Sequence, residues 1–312
     1  MQALWRHRRP LGCRSRFWRQ FGGAVGLCVV ARLSFGAGAF AGRAPCSASA
    51  AVARLAPRLA AAGGARSAAT DLVFQEDSQL VRLDGCALLD VSVQPEAEPA
   101  EAAQLQVVLD RTIFHPQGGG QPSDTGILSA EGLPDLSVSF VSMRREDGTV
   151  VHECIAEPAS AAEWTESVGR VQVACHVDEG RRLLHARLHS AGHLLDAAVV
   201  AAGLRGWEPT KGYHFEDGPY VEYALDSESK ERAKAEKASI VSALTAGAER
   251  LIEAGGAVSC RTDAEGTRYV EIAGEECPCG GTHVKDISQL GRVEVKKIKF
   301  KKNNARVSYD LS

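Results

Sequence analysis

The stretch Asp178–Ala202, DEGRRLLHARLHSAGHLLDAAVVAA, decides how the rest of the chain is read. Leu184, Leu188, Leu195 and Val199 recur at the three-to-four-residue spacing of a helix, with the acids Asp178 and Glu179 at its start. Three histidines ride on this predicted helix. His185, His189 and His193 stand four residues apart, so their imidazoles project from one face at successive turns. Any two neighbours among them can deliver nitrogens to one metal ion, and the spacing alone does not choose the pair.

On either side of this helix the texture differs. From Leu72 to about His176 short runs such as Gln104–Val108, Leu136–Val141 and Arg170–Cys175 carry β-branched residues between Gly, Pro and Asp turns. They predict a compact β-barrel or sandwich interrupted by the loop Arg111–Gly126, RTIFHPQGGGQPSDTG, while Gln94–Ala103 reads as a loop. Beyond the helix a strand pair is expected around Gly212–Tyr223. An amphipathic helix follows over Ser227–Gly255, then strands at Tyr269–Ile272, Arg292–Lys299 and Ala305–Tyr309. The expected fold class is α+β: a β-barrel-like domain over 71–176, then a domain over 177–312 with helices packed on an antiparallel sheet.

Charge divides the chain unevenly. Residues 1–70 hold eleven arginines, no lysine and no acidic residue. Of 36 basic residues, 25 therefore remain beyond Thr70 against 39 acidic ones. The opening is the composition of an organellar presequence, for a plastid or a mitochondrion, and is set aside from fold reasoning. Its apolar run Phe21–Val30 is too short to make a good membrane span; as a signal h-region it would make the leader bipartite. The mature chain is expected to be membrane-free and monomeric. Its six cysteines form no dense framework, which favours reduced thiols over a disulfide scaffold.

A second cluster completes the first. Cys277-Pro-Cys279-Gly-Gly-Thr-His283 places thiols and an imidazole around a tight Gly-Gly turn. Two nitrogens from the helix with a thiolate and a nitrogen from this turn make a tetrahedral N/S set that suits zinc. A disulfide between Cys277 and Cys279 would be badly strained, but Cys277 competes with Cys279 as the thiolate donor. Four protein ligands describe a closed structural site, whereas catalytic zinc keeps a position open.

Together these motifs resemble a known family. Arg187-Leu-His189-Ser-Ala-Gly-His193, Thr210-Lys-Gly-Tyr-His-Phe and Cys279-Gly-Gly-Thr-His283 are similar to the editing domain of alanyl-tRNA synthetases, and Gly118-Gly119-Gly120-Gln121 upstream resembles the glycine-rich motif of the domain that precedes it in the longer AlaX forms. They are closer still to the free-standing AlaX proteins of medium length. The resemblance covers roughly residues 72–312. It implies one Zn2+ per chain on His189, His193, Cys279 and His283, with mischarged tRNA(Ala) as partner. The implied activity is deacylation of Ser-tRNA(Ala); whether Gly-tRNA(Ala) is cleared as well stays open. The family's serine-reading threonine falls on Thr210. Gly192 stands where many synthetases carry threonine. No aminoacylation domain with ATP-binding motifs is present, so the chain is not expected to charge tRNA.

The remaining assignments follow from chemistry. Gly118, Gly119 and Gly120 are expected to let backbone N–H groups approach the tRNA 3′ end or the substrate, or simply to form a hairpin loop, and Gln121 to hydrogen-bond in that site. Lys297 and Lys299 share a strand face suited to phosphate contact, or to protecting an edge strand. Two other readings compete: editing of Ser-tRNA(Thr), and a non-catalytic tRNA-binding or partner module with structural zinc. A protease-type zinc hydrolase lacks support, because the spacer Ser-Ala-Gly supplies no glutamate base.

Overall fold

The β-branched runs of the first half close on themselves in the computed structural model, which describes residues 69–94 and 102–312. The presequence reading falls almost wholly on residues outside that range, as does most of the loop expected at 94–103. Elements of the first half are β1 (Asp71–Leu72), β2 (Arg82–Val93), β3 (Ala103–Leu109), β4 (Arg111–Thr112), β5 (Gly126–Ala130), β6 (Leu136–Met143), β7 (Val150–Ala156), α1 (Pro158–Glu166) and β8 (Gln172–Val177). Six strands form a closed barrel in the order β2-β3-β7-β6-β5-β8, every pair antiparallel.

Closure depends on β2. Its first half, Arg82–Ala87, pairs with β8 and its second half, Leu88–Val93, with β3. Register shifts between Leu83 and Cys86 and between Leu88 and Asp90 bend the strand so that it serves both neighbours. The inward residues Leu105, Val107, Leu109, Leu128, Val138 and Val173 are buried and fill the interior. Helix α1 was not expected in this strand-rich region; Pro158 in its first turn is its only start signal. It adds Trp164 to the barrel core, the indole N–H donating to Pro134 O at 2.8 Å.

The second half contains α2 (Glu179–Ala201), β9 (Trp207–Tyr213), β10 (Tyr220–Leu225), α3 (Ser227–Ala235), α4 (Lys237–Ala254), β11 (Ser259–Thr262), β12 (Arg268–Ile272), β13 (Glu275–Pro278), β14 (Val293–Lys301) and β15 (Asn304–Leu311). Helix α2 starts where Asp178 caps it, the carboxylate accepting from Arg181 N. Strands in the order β14-β15-β10-β9 make an antiparallel sheet, and β11-β12-β13 a separate small one. The expected single sheet is therefore two. Leu194, Leu195, Ile240 and Leu244 from α2 and α4 meet Val221, Tyr223, Val295, Ile298 and Val307 from the larger sheet in one apolar cluster. The molecule is α+β, with helices on an antiparallel sheet.

One expected element is corrected. The helix read as continuous over Ser227–Gly255 breaks at Glu236, whose backbone leaves the helical region (φ −101°, ψ 16°). Helix α3 is mostly charged and buries little beyond Ser229 and Ala233, whereas α4 carries the apolar stripe that must face β14. Packing of α4 sets its axis, and α3 follows the cap at Asp226 instead. Among the described residues no helix is long and apolar enough to cross a membrane.

Candidate metal centre

Helix α2 and the turn after β13 bring His189, His193, Cys279 and His283 together, all four buried, with donor atoms within 4.8 Å of one another. Cys279 Sγ lies 3.5 Å from His189 Nε2 and 3.3 Å from His283 Nε2. A tetrahedral ion with Zn–S about 2.3 Å and Zn–N about 2.05 Å would separate sulfur from nitrogen by about 3.5 Å. The donor set and its edges therefore fit a metal ion of that size. His185 is excluded from the cluster: its Nε2 lies 3.2 Å from Glu216 Oε1. Cys277 is excluded as well, its Sγ approaching the outward Nδ1 of His193 at 3.3 Å.

Each imidazole is held at Nδ1, which leaves Nε2 for the ion. Gln121 Oε1 sits 2.8 Å from His189 Nδ1 and also accepts the backbone N–H of Thr282 at 3.0 Å. That second bond fixes the amide orientation, so Nδ1 of His189 must carry the proton. His283 Nδ1 is 3.1 Å from the Ser190 hydroxyl, which also accepts from Val284 N. His193 Nδ1 faces Cys277 and lies 3.8 Å from Asp196 Oδ2. Asp196 is itself held by the Tyr223 hydroxyl at 2.7 Å.

The turn is clamped from several sides. Arg268 donates to the carbonyls of Cys279 and Gly281 at 2.8 and 3.0 Å, and Gln79 donates to His283 O at 3.2 Å. Gly281 must lack a side chain, because a Cβ there would clash with the His189 ring. The Gly-Gly pair thus serves the approach of turn to helix.

Electrostatics favour the metal-binding forms of His189, His283 and Cys279. Burial, reinforced by neighbouring imidazoles, holds His189 and His283 well below the usual histidine range, so both are neutral donors. Burial opposes ionisation of Cys279, but hydrogen bonding and charge from His193 outweigh it and bring the thiol below its usual range. His193 moves the opposite way: burial resists its protonation, while Cys277 and Asp196 raise it well above. The raised His193 favours its protonated form, and metal binding at its Nε2 would displace that proton.

The glycine-rich loop reaches this centre from the barrel. Gly118 and Gln121 form a small antiparallel bridge. Gly120 lies against β9: its carbonyl accepts from His214 N at 2.8 Å, and a Cβ would strike the Gly212 carbonyl. Gly119 faces open space. Gly120 and Gln121 thus make protein contacts, docking the barrel loop on the metal-binding half. Arg182 of α2 completes the dock. It is 2% exposed, forks onto the fully buried Asp124 at 3.1 Å, and donates to Ser78 O at 3.0 Å and to Ile113 O.

Other expected site residues stand apart from the four donors. Thr210 lies at a bulge in β9 and its hydroxyl donates to Glu222 O at 3.0 Å. Lys297 and Lys299 are exposed on β14. Residues passed over in the sequence include Ser190, Asp196, Arg268 and His214, whose ring stacks on His189 at 4.5 Å. Asp196 had a usable signal, three residues beyond His193 on one helix face. Gly192 explains its departure from threonine: a Cβ there would collide with the His214 ring.

Comparison with known proteins gives these positions relatives. The family described as class II (A) tRNA synthetases matches residues 68–179. The alanyl-tRNA editing protein AlaX-M of Pyrococcus horikoshii is 31% identical over 191 residues, 60% of this chain and 78% of that one. AlaX-M of Methanosarcina barkeri is 31% identical over 222 residues, 66% and 88% of the two chains. An alanine–tRNA ligase of Methanothrix thermoacetophila is 39% identical over 103 residues, a third of this chain but 10% of the ligase.

Proposed function

Because the chain belongs to the AlaX family of alanyl-tRNA editing proteins, we propose that it hydrolyses the ester of mischarged Ser-tRNA(Ala) at a zinc ion. The ion is held by His189, His193, Cys279 and His283. The observation that carries this reading is the buried set of three imidazoles and one thiol, each imidazole already held at Nδ1. Zinc bound there supplies Lewis acidity, to an ester carbonyl or to a water.

The chain's own residues supply position and choice. Gln121 fixes the tautomer of His189, and Ser190 holds the His283 ring at Nδ1. Thr210 has already given its proton to Glu222 O, so it faces a substrate as an acceptor. A serine hydroxyl can donate to it, and alanine cannot. One such hydrogen bond is worth about 1 kcal/mol, or roughly fivefold, rising where its loss leaves a buried group unpaired. A synthetase pocket for alanine excludes serine weakly, which is why a second site that reads the hydroxyl is useful. Residues 1–70 would deliver the protein to a plastid or mitochondrion, a reading checked by fusing them to a fluorescent protein.

The decisive experiment compares deacylation of Ser-tRNA(Ala) and Ala-tRNA(Ala), with zinc measured on the same sample. Loss of serine with alanine retained, abolished in His193→Ala, supports the proposal. One zinc per chain with neither ester cleaved would favour a non-catalytic module, the reading that the four buried protein donors also permit.

A further inference from the structure

The sheet β14-β15-β10-β9 has one face on α2 and α4; strand alternation puts a different chemistry on the other. Register pairs Tyr220 with Tyr213, Glu222 with Lys211 and with Arg306, and Arg306 with Lys299. Lys211, Tyr213, Tyr220, Glu222, Lys297, Lys299 and Arg306 therefore share the outer face. The aromatic members stack. Phe215 and Tyr213 have centroids 4.4 Å apart at 14°, and Tyr213 and Tyr220 5.1 Å apart at 15°. The Arg306 guanidinium covers the end of the stack 4.0 Å from the Tyr220 ring, steered there by Glu222.

All three rings are only half-buried. Half-buried aromatics aligned in parallel planes gain little from forming a core; with Arg306 over Tyr220 and Tyr213 between the other two rings, the stack leaves the outer face of Phe215 as its surface for a flat ligand. Cations lie beside them. Among the described residues, Lys211, Lys297, Lys299 and Lys301 are exposed and form no ion pair. Two of the acids on this side are engaged, Glu222 by Arg306 and Asp217 by the Tyr213 hydroxyl. The stack also leads to the metal centre: His214, between Tyr213 and Phe215, turns to the opposite side and stacks on His189.

We infer that this face binds single-stranded RNA, an unpaired base stacking on the Phe215 end of the Phe215–Tyr213–Tyr220 ladder while Lys297 and Lys299 contact phosphates. The inference rests on the editing proposal for the identity of the strand, the 3′ end of a charged tRNA. Parallel rings suit bases of any sequence, and unpaired cations suit a polyanion. An acidic peptide would use the lysines but not the ring faces, so the ladder separates the two.

The test uses the 312-residue chain and two substrates. The first is an uncharged RNA hairpin with a four-nucleotide 3′ overhang and a 5′ fluorescein; the second is Ser-tRNA(Ala). Phe215→Leu, which keeps an apolar side chain but removes the ring, is expected to weaken hairpin binding about tenfold, the scale of one base–aromatic stack. It should raise KM for Ser-tRNA(Ala) with little change in kcat or zinc content, and Phe215→Trp should restore both. Lys297→Gln with Lys299→Gln should flatten the slope of log affinity against log salt by about 1.4, two phosphates at roughly 0.7 each.

Hairpin affinity unchanged in Phe215→Leu and in Tyr220→Leu would overturn the inference, while leaving the editing proposal standing if the ester is still cleaved. Ladder-dependent binding without deacylation by the wild type would do the reverse. An equal loss of affinity for a control hairpin that lacks the overhang would also overturn it, since the ladder is assigned to unpaired bases.

Discussion

Gln121 and His189 lie 68 residues apart, yet the amide oxygen of the first accepts the Nδ1 proton of the second at 2.8 Å. The same amide donates to Thr282 Oγ1 at 2.8 Å and accepts from Thr282 N at 3.0 Å. One barrel side chain thereby sets both the helix and the turn that frame the metal centre. Gln121→Ala should weaken zinc binding about 10- to 100-fold, the usual loss when the partner of a metal-binding histidine is removed. Gln121→Glu keeps the acceptor and should stay closer to wild type. Competition against a chromophoric chelator reads both, and an alanine variant that holds zinc as tightly as wild type refutes the role.

The two cysteines of the turn should behave differently. Cys279 points among the imidazoles, while Cys277 meets His193 from outside. Cys279→Ser is expected to lose stoichiometric zinc, and Cys277→Ser to retain one ion per chain. Metal analysis after gel filtration decides the matter; the opposite pattern would transfer the thiolate role to Cys277.

Docking of the barrel on α2 depends on a buried charge pair. Removing the guanidinium in Arg182→Met strands Asp124, fully buried, without its partner. Breaking such a pair costs about 3–5 kcal/mol. Arg182→Lys should not rescue it, because a single ammonium cannot reach Asp124, Ser78 O and Ile113 O together. Adding Asp124→Asn to Arg182→Met should recover part of the loss. Urea unfolding measures each, and a shift under 1 kcal/mol in Arg182→Met would contradict the assignment.

Acid should loosen the barrel through His152. Its ring is buried between Val107 O at 3.0 Å and Thr112 Oγ1 at 2.9 Å, and burial lowers its pKa to about 4. Unfolded, the imidazole titrates near 6.5. Between those values the unfolded chain binds a proton that the folded one refuses, so stability is full above pH 6.5 and falls as pH drops toward 4. The loss is on the order of 3 kcal/mol for this group, and His115, also held near 4 by burial, adds to it. His152→Gln should flatten the fall between pH 7 and pH 4.5. An unchanged difference in urea midpoint would assign the acid sensitivity elsewhere.

Much of the molecule was readable in local pattern. Asp178–Ala202 carries its own cap and apolar stripe, and α2 spans Glu179–Ala201. The runs at Gln104–Val108 and Leu136–Val141 lie inside β3 and β6. Helix α1 was hidden because its nine residues bury one large side chain, Trp164, too little for a periodic signal. The break between α3 and α4 was hidden because no Gly or Pro marks Glu236, where the backbone leaves the helical region.

The amino-acid sequence by itself determined the chemistry available: histidines at four-residue spacing on a helix, and a thiol and imidazole brought close by a Gly-Gly turn. Those are local facts, because backbone geometry over a few residues dictates which side chains share a face. Tertiary structure alone decided which of the three helical histidines and two cysteines converge, and that Gln121, 161 residues before Thr282, orients them. It also decided that three aromatic rings from around β9 and β10 align under Arg306. Hydrogen bonds and ring contacts between distant segments depend on how whole elements pack, and no short window of sequence carries that information.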